Sequence, residues 1–198
     1  DERISQLKKS IDKTFELTSD DIDDAKHLNF TSEIEDIKKS NIYIVTVPTP
    51  IDNDNNPDIT FLIKASEMIG TILDKGDIVI YESTVYPGCT EEECVPILEK
   101  TSKLVYNKDF FCGYSPERIN PGDKINTLTE IVKVTSGSNT NISKKVDDLY
   151  SSIITAGTHL VSSIKVAEAA KIIENCQRDI NIAFVNELSI LFDLLNID

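Results

Sequence analysis

Two polar residues in the last third of the chain, Lys171 and Asn175, have the types and spacing to bind an oxyanion together. They lie four residues apart in a segment with helical periodicity, so they share one face of the helix. The amide can donate a hydrogen bond to an oxyanion while the ammonium neutralises its charge. Most helical lysines are simply solvated, and the spacing alone does not decide between the two interpretations.

A carboxylate in a proline-containing loop is a second candidate. Glu117 lies in the segment 113–123, where Pro116 and Pro121 restrict the backbone. A carboxylate held in a rigid loop at a strand end can act as a general base or position a water molecule. The alternative is a solvated surface charge that pairs with Arg118.

Hydroxyl groups follow two other apolar runs. Ser83 and Thr84 lie where a run meets a loop, shortly before a helical pattern begins. Hydroxyls beside a helix N-terminus can hold a phosphate or a polarised oxygen, and they are equally consistent with an N-cap and a turn. The segment 46–52, by itself, indicates a turn fixed by two prolines.

Alternating strand and helix patterns surround these candidates. Near-continuous apolar runs predict strands buried on both faces, and apolar residues at helical spacing predict helices between them. Their βαβ spacing of about 30 residues predicts an α/β fold with a mostly parallel, Rossmann-like sheet. Ligands of such sheets bind at the carboxyl ends of the strands. The predicted strands are 41–47, 77–82, 110–114 and 131–135, and the predicted helices are 59–73, 90–98, 142–154 and 164–195.

The last predicted helix, 164–195, is too long for a crossover between strands. Its apolar residues form one stripe, and a polar stripe that includes Lys171 and Asn175 runs beside it. A helix of this length and pattern predicts a spine that joins domains or subunits.

The charge balance argues against several classes of partner. The 198 residues contain 20 Lys and Arg against 34 Asp and Glu, which gives a net charge of −14. Such a chain is a poor candidate for binding nucleic acid or an anionic membrane surface. No apolar run approaches the roughly 20 residues of a membrane span, and the amino-terminal residues lack a signal-peptide core. We therefore expect a cytoplasmic protein without nucleic-acid or membrane partners.

Cysteine, histidine and glycine spacing adds further limits. The four cysteines form no C-x-x-C pair and the two histidines are isolated, so we expect reduced thiols and no metal site. The seven glycines include no G-x-G-x-x-G and no phosphate-binding P-loop. An oxidoreductase interpretation has to account for this missing fingerprint.

Five motifs, taken in order, resemble the UDP-glucose/GDP-mannose dehydrogenase family of nucleotide-sugar 6-dehydrogenases. The match covers most of the chain and is most similar to the branch that acts on UDP-N-acetylhexosamines. The motifs are VTVPTP (45–50), ESTVYPGCTEE (82–92), GYSPERINPGD (113–123), VTSG (134–137) and KVAEAAKIIENCQRDINIAFVNEL (165–188).

The resemblance implies part of an NAD-binding Rossmann domain over residues 1–161. Residues 162–198 would then begin a central helical domain that builds a homodimer. Enzymes of this family oxidise the C6 alcohol of a UDP-sugar to the uronic acid in two NAD-linked steps, through a thioester on a cysteine. We accordingly expect NAD as the cofactor and a UDP-N-acetylhexosamine as the substrate.

The resemblance also assigns roles to individual residues. Thr84 corresponds to a threonine near the sugar and the catalytic water, and Glu117 to a glutamate linked with thioester hydrolysis. Lys171 corresponds to the lysine that stabilises the developing oxyanion, and Asn175 to the asparagine that assists it. The implied cofactor-binding residues are Pro48, Thr49, Ser83 and Thr84, and the implied substrate-binding residues are Glu117, Arg118, Ile119, Asn120, Lys171 and Asn175.

The sequence departs from the family pattern in three places. Some relatives carry a second acidic residue four positions after the S-P-E glutamate, where this chain has Pro121. The family's glycine fingerprint is expected before this segment and its catalytic cysteine after it, and none of the four cysteines present matches. Cys176 follows Asn175 but lies on the apolar stripe. We therefore expect an interior fragment that lacks the first βαβ portion and is inactive by itself.

Two other functions stay open at this point. One is a non-catalytic α/β scaffold that dimerises through the long helix. The other is a different NAD-dependent dehydrogenase, such as a hydroxy-acid dehydrogenase, with a helical Lys-x-x-x-Asn pair. The SPERINPG loop argues against the latter.

Overall fold

The four apolar runs form neighbouring strands of one five-stranded sheet in the computed structural model, which describes residues 2–14, 17–119 and 128–197. The first three strands are parallel, the fourth is antiparallel to the third, and the fifth is parallel to the fourth. The predicted mostly parallel sheet is confirmed, while the short fifth strand was not predicted. The strands, in sheet order, are β1 (Ile42–Val45), β2 (Ile78–Tyr81), β3 (Phe111–Tyr114), β4 (Lys133–Gly137) and β5 (Thr158–Leu160).

Among the described residues, six α-helices connect or flank these strands. The third, fourth and fifth follow the predicted positions with shifted ends, and the sixth has the predicted bounds. A π-helical segment, Thr90–Cys94, forms the first part of the predicted helix 90–98. The helices are α1 (Glu2–Leu7), α2 (Ser19–Asp24), α3 (Thr60–Gly70), α4 (Val95–Ser102), α5 (Thr140–Ser151) and α6 (Ile164–Leu195).

Helices cover both faces of the central strands, whereas β1 is buried on one face only, with Ile44 46% exposed, so the predicted two-sided burial is wrong for that strand. Successive residues of β2 point to opposite faces, so Val79 packs in a core with α3 and α4 while Ile80 packs in a second core with α5. All four residues of β2 are buried, as a central parallel strand requires. This two-sided burial explains why the strand reads as a continuous apolar run.

Helix α6 is buried only at its beginning. Ile164 and Ala167 join the core beneath β3 and β4, whereas large apolar side chains farther along α6 are exposed. The exposed fraction is 67% for Ile173, 63% for Phe184 and 77% for Leu194. The predicted apolar stripe is therefore uncovered over most of the helix. Across the described residues, no helix has the length and apolar character needed to span a membrane.

Candidate active site at the carboxyl edge of the sheet

The loops that carry the predicted site residues meet at one edge of the sheet. Because β1, β2 and β3 are parallel, their last residues, Val45, Tyr81 and Tyr114, lie side by side. We call this side the carboxyl edge. Since β4 runs in the opposite direction, its first residue, Lys133, also lies here. Four chain segments thus converge where an α/β sheet binds its ligands.

Hydrogen bonds tie the loops after β1 and β2 together. The Ser83 hydroxyl donates to the carbonyl of Val47 at 2.6 Å, and the Thr49 hydroxyl donates to the carbonyl of Thr84 at 2.7 Å. Both predicted hydroxyls therefore organise the loops, while the Thr84 side chain and Pro48 are exposed. The structure brings all four predicted cofactor-binding residues to one edge.

Helix α6 contacts the loop after β3 through two side chains. The Lys171 ammonium donates to the main-chain carbonyl of Glu117. The Arg118 guanidinium pairs with Glu174 on α6 at 2.9 Å. The Glu117 carboxylate accepts a hydrogen bond from the amide of Ile119. Arg118 thus pairs with α6, and Glu117 and Lys171, which lie 54 residues apart, meet in space.

The remaining predicted site residues lie near this contact or outside the described chain. Asn175 is half-buried one helical turn after Lys171. Asn120 and Pro121 fall in the segment 120–127, outside the described residues.

A buried charged cluster beneath the loop was missed by the sequence analysis. The Lys133 ammonium lies 3.3 Å from Glu82 Oε2, 3.4 Å from the Pro116 carbonyl oxygen and 4.9 Å from the centre of the Tyr150 ring. The Tyr150 hydroxyl donates to the other carboxylate oxygen of Glu82. Burial lowers the pKa of Lys133, an effect that neighbouring Glu82 opposes. The sequence feature that could have revealed this cluster is the lysine inside the otherwise uncharged run 131–135.

A second missed residue, Glu168, joins α6 to the loop after β2. It is fully buried, and its carboxylate accepts hydrogen bonds from the amides of Gly88 at 2.5 Å and Thr90 at 2.9 Å. The helical pattern places Glu168 on the polar stripe with Lys171. The Glu168 side chain instead points into the domain and is buried there.

All four cysteines are free, and three of them are buried. Burial raises the pKa of the Cys112 thiol, and a contact with Cys94 together with burial raises that of Cys89. A thiol held protonated is a poor nucleophile. Cys176 is exposed on the uncovered apolar stripe. The described residues contain no group of three or more His, Cys, Asp or Glu side chains able to hold a metal ion.

The mostly parallel sheet, whose central strands are covered on both faces and whose carboxyl edge carries polar loops, defines a Rossmann-like dinucleotide-binding domain. The chain belongs to the UDP-glucose/GDP-mannose dehydrogenase family. The NAD-binding domain of that family matches residues 1–154, and its central domain matches residues 165–198. NAD is therefore the cofactor of the domain that this sheet forms.

Individual relatives agree with this assignment. The UDP-N-acetyl-D-glucosamine 6-dehydrogenase of Salmonella typhi is 61% identical over 196 residues, which are 99% of this chain and 46% of that protein. Protein CapL of Staphylococcus aureus is 57% identical over the same shares of the two chains. The solved UDP-D-ManNAc dehydrogenase of Pyrococcus horikoshii is 30% identical and superposes with a TM-score of 0.86, covering 96% of this chain and 46% of that one. The chain spans less than half the length of the curated relatives it matches.

Proposed function

We propose that the protein containing this chain is an NAD-dependent dehydrogenase that oxidises the C6 alcohol of a UDP-N-acetylhexosamine to the uronic acid. The observation that carries the proposal is the contact between Lys171 and the Glu117 loop at the carboxyl edge. It joins an oxyanion-binding cation to a carboxylate able to position water. The names of the relatives support the substrate class, since the Salmonella typhi protein is a UDP-N-acetyl-D-glucosamine 6-dehydrogenase.

The proposed roles of the site residues are those that the family resemblance implies, and their chemistry is consistent with them. Lys171 neutralises the oxyanion that develops at the sugar C6 carbon, and Asn175 donates a hydrogen bond to it. Glu117 positions the water that hydrolyses the thioester formed on a cysteine of the enzyme. Thr84 contacts this water, while Arg118 and Ile119 lie near the sugar. Bound NAD would supply the hydride acceptor for the two oxidation steps.

The groups at the carboxyl edge fit a neutral part of the cofactor. The exposed Thr84 side chain and Pro48 lie beside the bonded Thr49 and Ser83 hydroxyls, and none of these four residues is charged. Such groups suit a ribose or a nicotinamide ring. The chain has no G-x-G-x-x-G turn for the pyrophosphate, so these residues account for one portion of the cofactor site. We assign residues 1–161 to this domain and 162–198 to the central helical domain.

The proposed activity is tested by mixing the full-length protein with NAD⁺ and UDP-N-acetylglucosamine or UDP-N-acetylgalactosamine. We expect two NADH for each uronic acid formed, measured by absorbance and by mass spectrometry of the sugar nucleotide. The 198-residue chain assayed alone is expected to form no NADH, because no cysteine in it matches the catalytic one. NADH production by this chain alone would overturn the assignment, as would full-length protein inactive with every UDP-hexosamine.

A second role, subunit association through α6, is favoured by the exposure of its apolar side chains. Ile180 is 66% exposed and Val185 is 61% exposed on a helix whose first turns are buried. A contiguous apolar face of this kind marks an interaction site. We expect light scattering of the purified protein to give the mass of a homodimer. A monomer at all concentrations would exclude this role.

A further inference from the structure

Lys133 is a charged residue in a place where charge is costly. It is only 4% exposed, on a strand whose other residues are also buried. A buried ion pair commonly contributes little net stability, because desolvating both charges offsets their attraction. The fold therefore gains little from Lys133 as a stabilising element, and its role is better sought in what its ammonium contacts.

The ammonium contacts the loop that carries Glu117. Lys133 Nζ lies 3.4 Å from the carbonyl oxygen of Pro116, and Lys171 Nζ donates to the carbonyl of the next residue, Glu117. Two lysines from different elements thus hold consecutive carbonyls of one loop. Lys133 reaches this loop from the start of β4, and Lys171 reaches it from α6.

The position of the Lys133 ammonium is itself set by two partners. Glu82 lies 3.3 Å away and is held in turn by the Tyr150 hydroxyl, while the Tyr150 ring lies 4.9 Å from the ammonium. A cation over an aromatic face is attracted to it, most strongly when desolvated. Glu82 immediately precedes Ser83 and Thr84. One ammonium therefore links the cofactor-side loop after β2 to the loop after β3.

We infer that Lys133 is a positioning residue: anchored by Glu82, it holds the Pro116 carbonyl and so fixes the direction in which the Glu117 loop leaves β3. This inference rests on the proposed function for its kinetic consequence. The contact that carries it is present in the structure regardless of which sugar nucleotide is oxidised.

The kinetic test uses Lys133→Met in the full-length protein, with Lys133→Arg and Lys75→Met as comparisons. Misplacing a catalytic group by about 1 Å can cost roughly 100-fold in rate, so we expect kcat to fall about 10- to 100-fold in Lys133→Met. The KM for NAD⁺ should change little. Lys133→Arg should recover much of the loss because it keeps a cation there. Lys75 is an exposed lysine paired with Asp109, and Lys75→Met should keep wild-type kcat.

A double-mutant cycle separates positioning from general damage. In a Glu117→Gln background, Lys133→Met should add little further loss, because its effect passes through Glu117. Losses that multiply fully would overturn the inference. If Lys133→Met fails to fold, the double variant Lys133→Met/Glu82→Gln removes both buried charges and leaves no unpaired carboxylate. It is expected to show the same kcat loss.

Hydrogen exchange provides a readout independent of the sugar substrate. The amides of residues 117–119 should exchange faster in Lys133→Met than in wild type, whereas Lys75→Met should leave them unchanged. Unchanged exchange in Lys133→Met would overturn the positioning role. Faster exchange in a protein that oxidises no UDP-sugar would support the positioning role and refute the proposed activity instead.

Discussion

Replacing Lys171 with Met in the full-length protein is expected to lower kcat for NADH formation by about 100- to 1,000-fold. That is the usual cost of removing one preorganised group from an oxyanion site. The Met side chain keeps the packing of the lysine stem and removes the charge. The same substitution releases the Glu117 carbonyl, so the proposed positioning of water by Glu117 is expected to weaken as well.

Lys165 provides the matched control for this substitution because it lies on the same helix. Its ammonium pairs with Glu92 at 3.0 Å, and both side chains are more than half exposed. Exposed pairs of this kind contribute little, so Lys165→Met should leave kcat essentially unchanged. Steady-state NADH formation measures both variants. A Lys171→Met enzyme that retains more than about a tenth of wild-type kcat would contradict the oxyanion role.

Glu168→Ala is expected to reduce the free energy of unfolding by about 3–5 kcal/mol. The carboxylate accepts two backbone hydrogen bonds, from Gly88 and Thr90, with no exposure to solvent. Hydrogen bonds to charged groups contribute about 1.5–3 kcal/mol each, and two buried amides lose their partner when the side chain is truncated. Glu168→Gln keeps the shape and one acceptor, so an intermediate loss of about 1.5–3 kcal/mol is expected.

Urea unfolding followed by circular dichroism measures these losses. Glu187→Ala is the matched control, since Glu187 is exposed on the outer part of α6 and should change stability by no more than about 0.5 kcal/mol. A Glu168→Ala variant within about 1 kcal/mol of wild type would show that the two amides find other partners.

The elements that the sequence predicts well have strong periodic signals. The bounds of α6 follow from a long apolar repeat. Ser163 caps the beginning of this helix by accepting a hydrogen bond from the Val166 amide. Strand β2 was recognisable because both of its faces are buried. Strand β5 was missed because its three residues are half-buried or exposed, so its pairing with β4 leaves no apolar pattern.

The sequence pattern did not predict that β4 is antiparallel to β3. This direction explains why Lys133 was missed. Apolar alternation is the same whether a strand runs up or down a sheet, so the pattern cannot report direction. In an all-parallel sheet, Lys133 would lie at the edge opposite Glu117. The antiparallel pairing Tyr114 to Ser136 instead brings the start of β4 beside the end of β3.

The burial of Glu168 was also beyond the sequence pattern. Helical spacing assigns a residue to a face, and it does not say what covers that face. The covering group is the loop that contains Gly88, 80 residues earlier in the chain. By contrast, the residue types of Lys171 and Glu117 suggested the chemistry proposed for them, and the fold brings the two residues together.

Helix α6 is fixed to the domain at Glu168, which lies close to Lys171 and far from the other end of the helix. At a rise of 1.5 Å per residue, Leu195 lies about 40 Å along the helix from Glu168, and Lys171 lies only about 4.5 Å from it. A tilt of about 5° would sweep the distal end through roughly 3.5 Å and shift the Lys171 backbone by only about 0.4 Å. A domain or subunit that packs on the last turns of α6 can thus move by several ångströms while Lys171 stays nearly in place.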